Sequence, residues 1–389
     1  MENFFIPPYV AAVISKIEET GFEAWLVGGC VRDMLSGITP HDYDIASNAP
    51  CEAISSMFDR VIETGIKHGT VTVISDGQPI EVTRYRIDGD YADHRRPDSV
   101  NFTREFKDDL ARRDFTVNAI GYNEKYGTFD CFGGKEDIER KILRTVGDAE
   151  RRFDEDALRI LRAIRFGSTL GYTIEGATLA AIKKLAKTLH NVSAERIYSE
   201  VKKALMGSTP ALIEIIVKNG GFEHIGIADC DDLSPIDAID ENLNVRIAVL
   251  LKLCKCLPDS VLANLKAERS TRAAVGLIYT ALDENQPLDR VALKHLLQKH
   301  SAEEVFAILS AHKALYGRDI SAAKTELCDI VERNEPYLIR HLAIGGSDLN
   351  QMGISGEAIG RVLNHLLERV IAEPELNSTE KLKSIINSN

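Results

Sequence analysis

The sequence predicts an α+β protein, a small mixed-sheet head followed by a long helical remainder. Three observations carry that expectation. Short strand-like runs crowd into the first third, apolar residues fall at helical spacing from about Asp148 onward, and almost no strand signal follows that point. The chain has 389 residues, of which 44% are hydrophobic, enough for more than one buried core.

The elements follow in order. "EAWLV" is a short apolar run that stops at Gly28-Gly29, and a helical stretch begins at about Val31. "HDYDIAS" alternates polar and apolar residues as a strand does. A helix is expected at "APCEAISSMF", opening near Asn48. "RVIET", "GTVTVIS" and "IEVTRYRID" are three further strand candidates, separated by turn residues such as Asp76-Gly77. Beyond Asp148, "DALRILRAIRFGSTLG", "TLAAIKKLAKTL" and "SAERIYSEVKKALM" show helical periodicity. So do "NVRIAVLLKLCKCL", "RAAVGLIYTAL", "DRVALKHLLQK" and "AEEVFAILSAHKALYG". A last helix, "EAIGRVLNHLLERVIAEP", is ended by Pro374. There is no fixed-period repeat and no low-complexity linker.

Composition excludes several classes. No run of 18 apolar residues suggests a membrane span, and the first residues lack the pattern of a signal peptide, so a cytoplasmic protein is expected. Seven scattered cysteines do not form a disulfide framework, and the Cys254–Cys256 pair has no second pair or histidine to complete a zinc set. A net charge of -12 argues against a nonspecific cationic nucleic-acid binder, but a local basic face within an acidic whole remains compatible with RNA.

The stretch "VGGCVRDMLSGITPHDYDI", Val27 to Ile45, carries the chemistry. If "HDYDIAS" is a strand, Asp42 and Asp44 point to one face, and two carboxylates so close call for a cation between them. Hard oxygen ligands suit magnesium (Mg2+), which also holds substrate phosphates. A D-x-D alone is weak; solvated loop aspartates explain most of them. Here Gly28 and Gly29 stand a dozen residues upstream, after a strand and before a helix. Glycines in that position let backbone N–H groups approach a phosphate. Glu81, in a neighbouring strand candidate, is a possible third carboxylate or an ordinary surface glutamate.

These residues resemble a known family. "LVGGCVRDMLSG" with "HDYDIAS" resembles the signature of the nucleotidyltransferase superfamily, in the branch of bacterial class II CCA-adding enzymes and poly(A) polymerases. "RRDFTVNAIGY", "FDCFGGKEDIERKILR", "RFDEDALRILRAIRF" and "SAERIYSEVKKAL" resemble that branch's second to fifth motifs, in order. "IGGSDLNQMGISGEAIGRVLNHLLERV" is similar to the tail of long bacterial members. The resemblance implies a nucleotidyltransferase-type mixed-sheet head over 1–140 and a helical neck with a nucleotide-selecting helix over 141–206. A helical body over 207–315 and a helical tail over 316–389, expected to contact tRNA, would follow.

The implied reaction is addition of C, C and A to the 3′ end of tRNA from CTP and ATP, without a template and with magnesium. The RNA 3′-hydroxyl attacks the nucleotide α-phosphate and pyrophosphate leaves. By the resemblance, Asp42 and Asp44 are the metal ligands. Gly28, Gly29, Arg32, Arg113, Asp156, Arg159, Arg162 and Arg165 are the nucleotide-binding residues. The tRNA acceptor arm, ATP and CTP are the implied partners, with no membrane and no obligatory protein partner. A-only addition, poly(A) synthesis and a catalytically silent RNA-binding or nucleotide-sensing relative are the alternatives. "DGDYADHRRPDSVNF", Asp88 to Phe102, resembles the head loop that CC-only enzymes shorten; it is complete here, so A addition is expected.

The fourth motif has a chemical logic. Asp156 and Arg159 are three apart, neighbours if both lie on one helix. Cytosine and adenine both present an amine donor beside a ring-nitrogen acceptor, which an aspartate and an arginine complement. Guanine and uracil reverse the pattern, and each reversed contact costs about 1–3 kcal/mol. Without the other motifs the pair reads as a surface i,i+3 ion pair. Arg162 and Arg165 continue the spacing toward a triphosphate. Arg140, Lys141, Arg144, Arg151, Arg152, Lys183, Lys184, Lys187, Lys202 and Lys203 are candidates for tRNA phosphate contacts.

Overall fold

The computed structural model describes residues 4–88 and 100–387; residues 89–99 of the head loop lie outside the described part. The chain packs as two compact units, Met1–Asp229 and Cys230–Asn389. The expected head and neck both fall in the first.

The head holds strands β1 (Ala24–Val27), β2 (Asp44–Ser47), β3 (Val61–Gly65), β4 (Thr70–Ser75), β5 (Gln78–Arg84), β6 (Arg86–Asp88), β7 (Val100–Phe102), β8 (Ile120–Asn123) and β9 (Gly127–Asp130). Its helices are α1 (Pro8–Glu19), α2 (Gly29–Leu35), α3 (Cys51–Met57), α4 (Phe106–Ala111) and α5 (Gly134–Glu139). Seven strands form one sheet in the order β3-β4-β5-β2-β1-β8-β9, with β6 and β7 a separate hairpin. Only the β2–β5 pairing is parallel in that sheet, and it aligns Asp44 with Glu81. The antiparallel β1–β2 register sets Val27 opposite Asp44. Strand alternation then puts Trp25, Val27, Asp44, Ala46 and Glu81 on one face. An apolar cluster of Val27, Ala46, Tyr85, Phe106, Leu110, Ala119 and Val146 covers part of that face, with Trp25 and Phe129 at its margin. The carboxylates stand at the edge of this core. The strand expectations for β1, β3 and β4 hold; β2 takes only the second half of "HDYDIAS", and "IEVTRYRID" divides between β5 and β6. β8 and β9, inside and just after "RRDFTVNAIGY", had no strand expectation.

Two short strands, β10 (Ile142–Leu143) and β11 (Thr173–Ile174), pair in parallel where head passes into neck. The neck helices are α6 (Ala149–Glu155), α7 (Leu158–Leu170), α8 (Gly176–Leu185) and α9 (Ala194–Leu205), followed by α10 (Glu214–Lys218). α7 packs along α9, and Phe115 of the head meets Phe166 of α7 edge-on, with ring centroids 5.7 Å apart. That contact ties the neck to the head's core.

The second unit consists of helices α11 (Leu243–Leu253), α12 (Pro258–Asn264), α13 (Arg269–Ala281), α14 (Arg290–Leu297), α15 (Ala302–Tyr316), α16 (Ser321–Glu332), α17 (Gly346–Gln351), α18 (Glu357–Ala372) and α19 (Thr379–Asn387), joined by short turns. The fully buried Lys294 donates from Nζ to Ile371 O at 3.1 Å and to Glu335 at 2.8 Å, fastening α14 to the end of α18. A buried ammonium needs such partners to offset its lost hydration. No helix among the described residues is long and apolar enough to cross a membrane.

Candidate active site

The site begins at a corner only glycine can make. β1 ends at Val27, and Gly28 turns the chain with φ +76° and ψ -134° before Gly29 opens α2. A side chain at that φ is strained. A Cβ at Gly28 would stand 3.2 Å from Arg113 Nη1 and 4.0 Å from Asp44 Oδ2, so the bare backbone lies against both. At Gly29 the nearest atom to such a Cβ would be Arg32 Nη2, at 3.6 Å. The aspartate and two arginines thus border the space that the missing side chains leave.

Asp44 is the first residue of β2, but Asp42 is not in the strand. It lies in a bend just ahead of it, and the shared-face argument from strand alternation does not apply. The cause is local. β1 turns away at Gly28, and in the β2–β5 register Asp42 would stand opposite Pro79, which has no N–H to give the ladder. The two carboxylates nevertheless feel each other. Although Asp44 keeps accessible surface, desolvation of its carboxyl raises its pKa; Glu81 and Asp42 push the same way and Arg113 opposes them. Among the described residues, Glu81, Arg113 and Asp42 thus stand within electrostatic reach of Asp44. Among the described residues no ready-made group of three or more acid, histidine or cysteine ligands is present, so a cation here would draw further ligands from elsewhere.

Arg113 is held from behind. Its Nη2 donates to Asp109 Oδ2 at 3.2 Å, and Arg112 donates to Oδ1 of the same carboxylate at 2.8 and 2.9 Å. Asp109 is fully buried, which by itself would raise its pKa; the two guanidiniums more than reverse that and hold it below its ordinary value. Arg32 donates to Asp33 and, from Nη1, to Asn118 Oδ1 at 2.8 Å. Asn118 donates in turn to Asp114 Oδ1 at 3.2 Å, and Asp114 Oδ2 accepts from Arg162 at 2.7 Å. Burial would push Asp114 up, but Arg162, Asn118 and Arg159 bring it down to about 2. The chain Arg32–Asn118–Asp114–Arg162 joins head to neck.

Asp156 also departs from expectation. It does not share a helix with Arg159: α6 ends at Glu155, Asp156 is extended (φ -142°, ψ 103°), and α7 starts at Leu158. A short carboxylate next to a helix start competes for backbone N–H groups. Asp156 Oδ1 accepts from Leu158 N at 3.0 Å and its backbone oxygen from Arg159 N at 3.0 Å. Its Oδ2 accepts from Arg196 of α9 at 3.1 Å. Arg159 donates to Glu155 at 2.8 Å, to Arg152 O at 3.2 Å and to Arg112 O at 3.1 Å. Asp156 stands at the break and Arg159 in the first turn of α7, each side chain steadied by other groups.

Arg165 donates to Glu200, also on α9, at 2.6 Å. Burial lowers its pKa and Glu200 acts against that. The sequence reading missed Asp109, Arg112, Asp114, Asn118, Glu155, Arg196 and Glu200. Their signal was present: all but Asp109 lie inside the motifs, and Arg196 and Glu200 are one turn apart on one face of α9.

The basic residues proposed for RNA divide into two groups. Arg140, Arg144, Arg151 and Arg152 pair with Glu136, Asp137 and Glu155, and Arg152 also donates to Val146 O. On α8 and the turn after it, Lys183, Lys184 and Lys187 are exposed, with Lys184 and Lys187 reaching Glu150 and Glu223 across the surface. Lys202 of α9 lies over the Tyr198 ring, its Nζ 4.5 Å from the centroid.

A mixed sheet that sets acids beside a glycine corner, backed by an arginine-rich neck helix, defines a nucleotidyltransferase. Residues 24–144 match the Poly A polymerase head domain, and residues 171–226 match the probable RNA and SrmB-binding site of polymerase A. The chain is 37% identical to the CCA-adding enzyme of Pediococcus pentosaceus over 97% of its own length and 96% of that protein's. It belongs to the CCA-adding enzyme family. Over 52% of the chain and 50% of the relative, identity to the CCA-adding enzyme of Geobacillus stearothermophilus is 48%. The fold matches the crystal structure of the Bacillus stearothermophilus CCA-adding enzyme in complex with CTP, with a TM-score of 0.81 and 30% identity over 98% of this chain and 99% of that one. A Thermotoga maritima CCA-adding enzyme complexed with tRNA shares the fold at a TM-score of 0.68 and 20% identity, over 98% of this chain and 96% of that one.

Proposed function

We propose that the protein adds CCA to the 3′ end of tRNA from CTP and ATP. The observation that carries this is the continuity of the site. Asp44 and Arg113 flank the space beside the glycine corner that a side chain at Gly28 would enter, and Arg32 is joined through Asn118 and Asp114 to Arg162 on the helix that starts beside Asp156. One end suits phosphate chemistry and the other suits reading a base.

Nucleotidyltransferases of this kind generally use divalent ions, and the acid-rich edge fits one. We assign magnesium to Asp42 and Asp44, with Glu81 beside them as a candidate third carboxylate. The ion would supply activation of the attacking hydroxyl and neutralisation of the leaving pyrophosphate. The chain's own residues do the rest. Gly28 and Gly29 let backbone approach the triphosphate, and Arg32, Arg113, Arg162 and Arg165 offer it planar donor forks. Asp156 and Arg159 present an acceptor and a donor to the Watson–Crick edge that cytosine and adenine share. Exposed Lys183, Lys184 and Lys187 are assigned to the acceptor arm's phosphates. The division into head (1–140), neck (141–206), body (207–315) and tail (316–389) belongs to this proposal, as does the cytoplasmic location that a tRNA substrate implies.

The test is a product ladder. tRNAs ending at the discriminator base, at C and at CC are incubated with labelled CTP, ATP or both. Completion of all three to CCA supports the proposal. Extension of the CC-ended tRNA alone would make it an A-adding enzyme, long A tails a poly(A) polymerase, and no incorporation a silent relative.

A further inference from the structure

Phe166 closes the fourth motif on α7 and is 6% exposed. Three guanidiniums gather around its ring. The Cζ of Arg165 lies 3.9 Å from the centroid, and those of Arg32 and Arg162 each lie 5.3 Å away. All three fall within cation–π range. Like charges so collected repel one another, so something must hold them together.

Acids supply part of the answer. Arg32 has Asp33, Arg162 has Asp114 and Arg165 has Glu200. Every acid, however, cancels a positive charge that a polyanion would use. An aromatic ring attracts a cation through its quadrupole and carries no net charge of its own. It can add to the hold of those three acids without cancelling any further positive charge. The ring is itself fixed, because Phe115 meets it edge-on at an interplanar angle of 84°. Phe115 is fully buried in the head, so the hub is anchored in the same domain that holds Arg32 and Asp44.

We infer that Phe166 is a positioning residue for the nucleotide triphosphate: its ring holds Arg32, Arg162 and Arg165 as one convergent cationic cradle. This rests on the nucleotide-adding function proposed above. The competing account is that Phe166 only fills space between head and neck.

Fluorination separates the two, because it drains the ring's negative face while changing its size little. The full-length protein is prepared with phenylalanine, 4-fluoro-, 3,5-difluoro- and 3,4,5-trifluorophenylalanine at position 166. Steady-state kinetics are measured with CTP on a tRNA ending at the discriminator base, and thermal unfolding is recorded for each variant. The expected result is a stepwise rise in the KM for CTP, on the order of tenfold across the series. The kcat, the KM for tRNA and the Tm should stay nearly level. A KM for CTP that does not change with fluorination overturns the inference, and so does a KM that rises only in step with a falling Tm. Failure of the unsubstituted protein to incorporate CMP would instead refute the proposed function, which keeps the two failures apart.

Discussion

Asp114 is the acid on which the link between head and neck depends, and replacing it with asparagine gives a quantitative test. The residue is 8% exposed, and its carboxyl is held at about 2 against an ordinary value of 3.8. A depression of that size corresponds to about 2.5 kcal/mol of stability at neutral pH. Because the folded-state pKa is the lower one, the contribution is complete above pH 4 and disappears as pH falls through 2. About half of it is gone by pH 3. The assay is urea unfolding followed by fluorescence of Trp25, the chain's single tryptophan, which lies in the first unit. With a slope of about 2–3 kcal/mol per molar urea, D114N should lower the midpoint by about 1 M at pH 7. The same gap is expected at pH 5 and roughly half of it at pH 3. A gap as wide at pH 3 as at pH 7 would refute the ion-pair reasoning and leave only the shape of the side chain to explain the loss.

Three further outcomes follow from the geometry. Asp44→Ala, and equally Asp42→Ala, should lower CMP incorporation on the order of 10³-fold or more while tRNA binding in a filter assay stays near normal; robust incorporation by either variant would remove that residue from the metal site. Gly28→Ala places a methyl group 3.2 Å from Arg113 Nη1 at a φ of +76°, so about 1–3 kcal/mol of strain and a fall in kcat/KM on the order of 10²-fold are expected, measured by calorimetry and single-turnover kinetics. Arg196→Met releases Asp156 Oδ2 and should reduce the CTP-over-UTP preference in kcat/KM on the order of tenfold, whereas an unchanged preference would show that Asp156 is aligned without it.

The sheet was legible where its strands are short runs between turn residues: β4 alternates in burial and β1 is an apolar run that stops at a glycine corner. The β1–β5 runs are short, apolar or alternating, and bounded by residues such as Asp76 and Gly77, which both adopt positive φ. β8 escaped notice because all four of its residues are buried, so it has no alternation to read. The break at Asp156 escaped for the opposite reason. Its flanks continue an unbroken helical pattern, and the extended backbone of Asp156, with its carboxylate bonded to Leu158 N and Arg196, shows that the chain leaves the helix there.

The site divides along the same line. Gly28, Asp42 and Asp44 stood out by their spacing and Arg113 by the resemblance of its motif, whereas Asp109, Asp114 and Glu200 look ordinary in sequence and are conspicuous only when buried. Burial of a carboxylate without a cation is prohibitive, and burial of an arginine is tolerable only with partners. Each buried acid therefore implies an arginine that it fixes: Asp109 fixes Arg112 and Arg113, Asp114 fixes Arg162, and Glu200 fixes Arg165. Those bonds, together with the Phe166 ring beside Arg162 and Arg165, settle in the folded protein where each guanidinium stands before any substrate arrives. Preorganised charge is worth more than mobile charge at a reacting phosphate, because no reorganisation is required at the moment of reaction. The arginines identify the kind of substrate, and the buried acids behind them, invisible to spacing rules, determine how ready the site is to receive it.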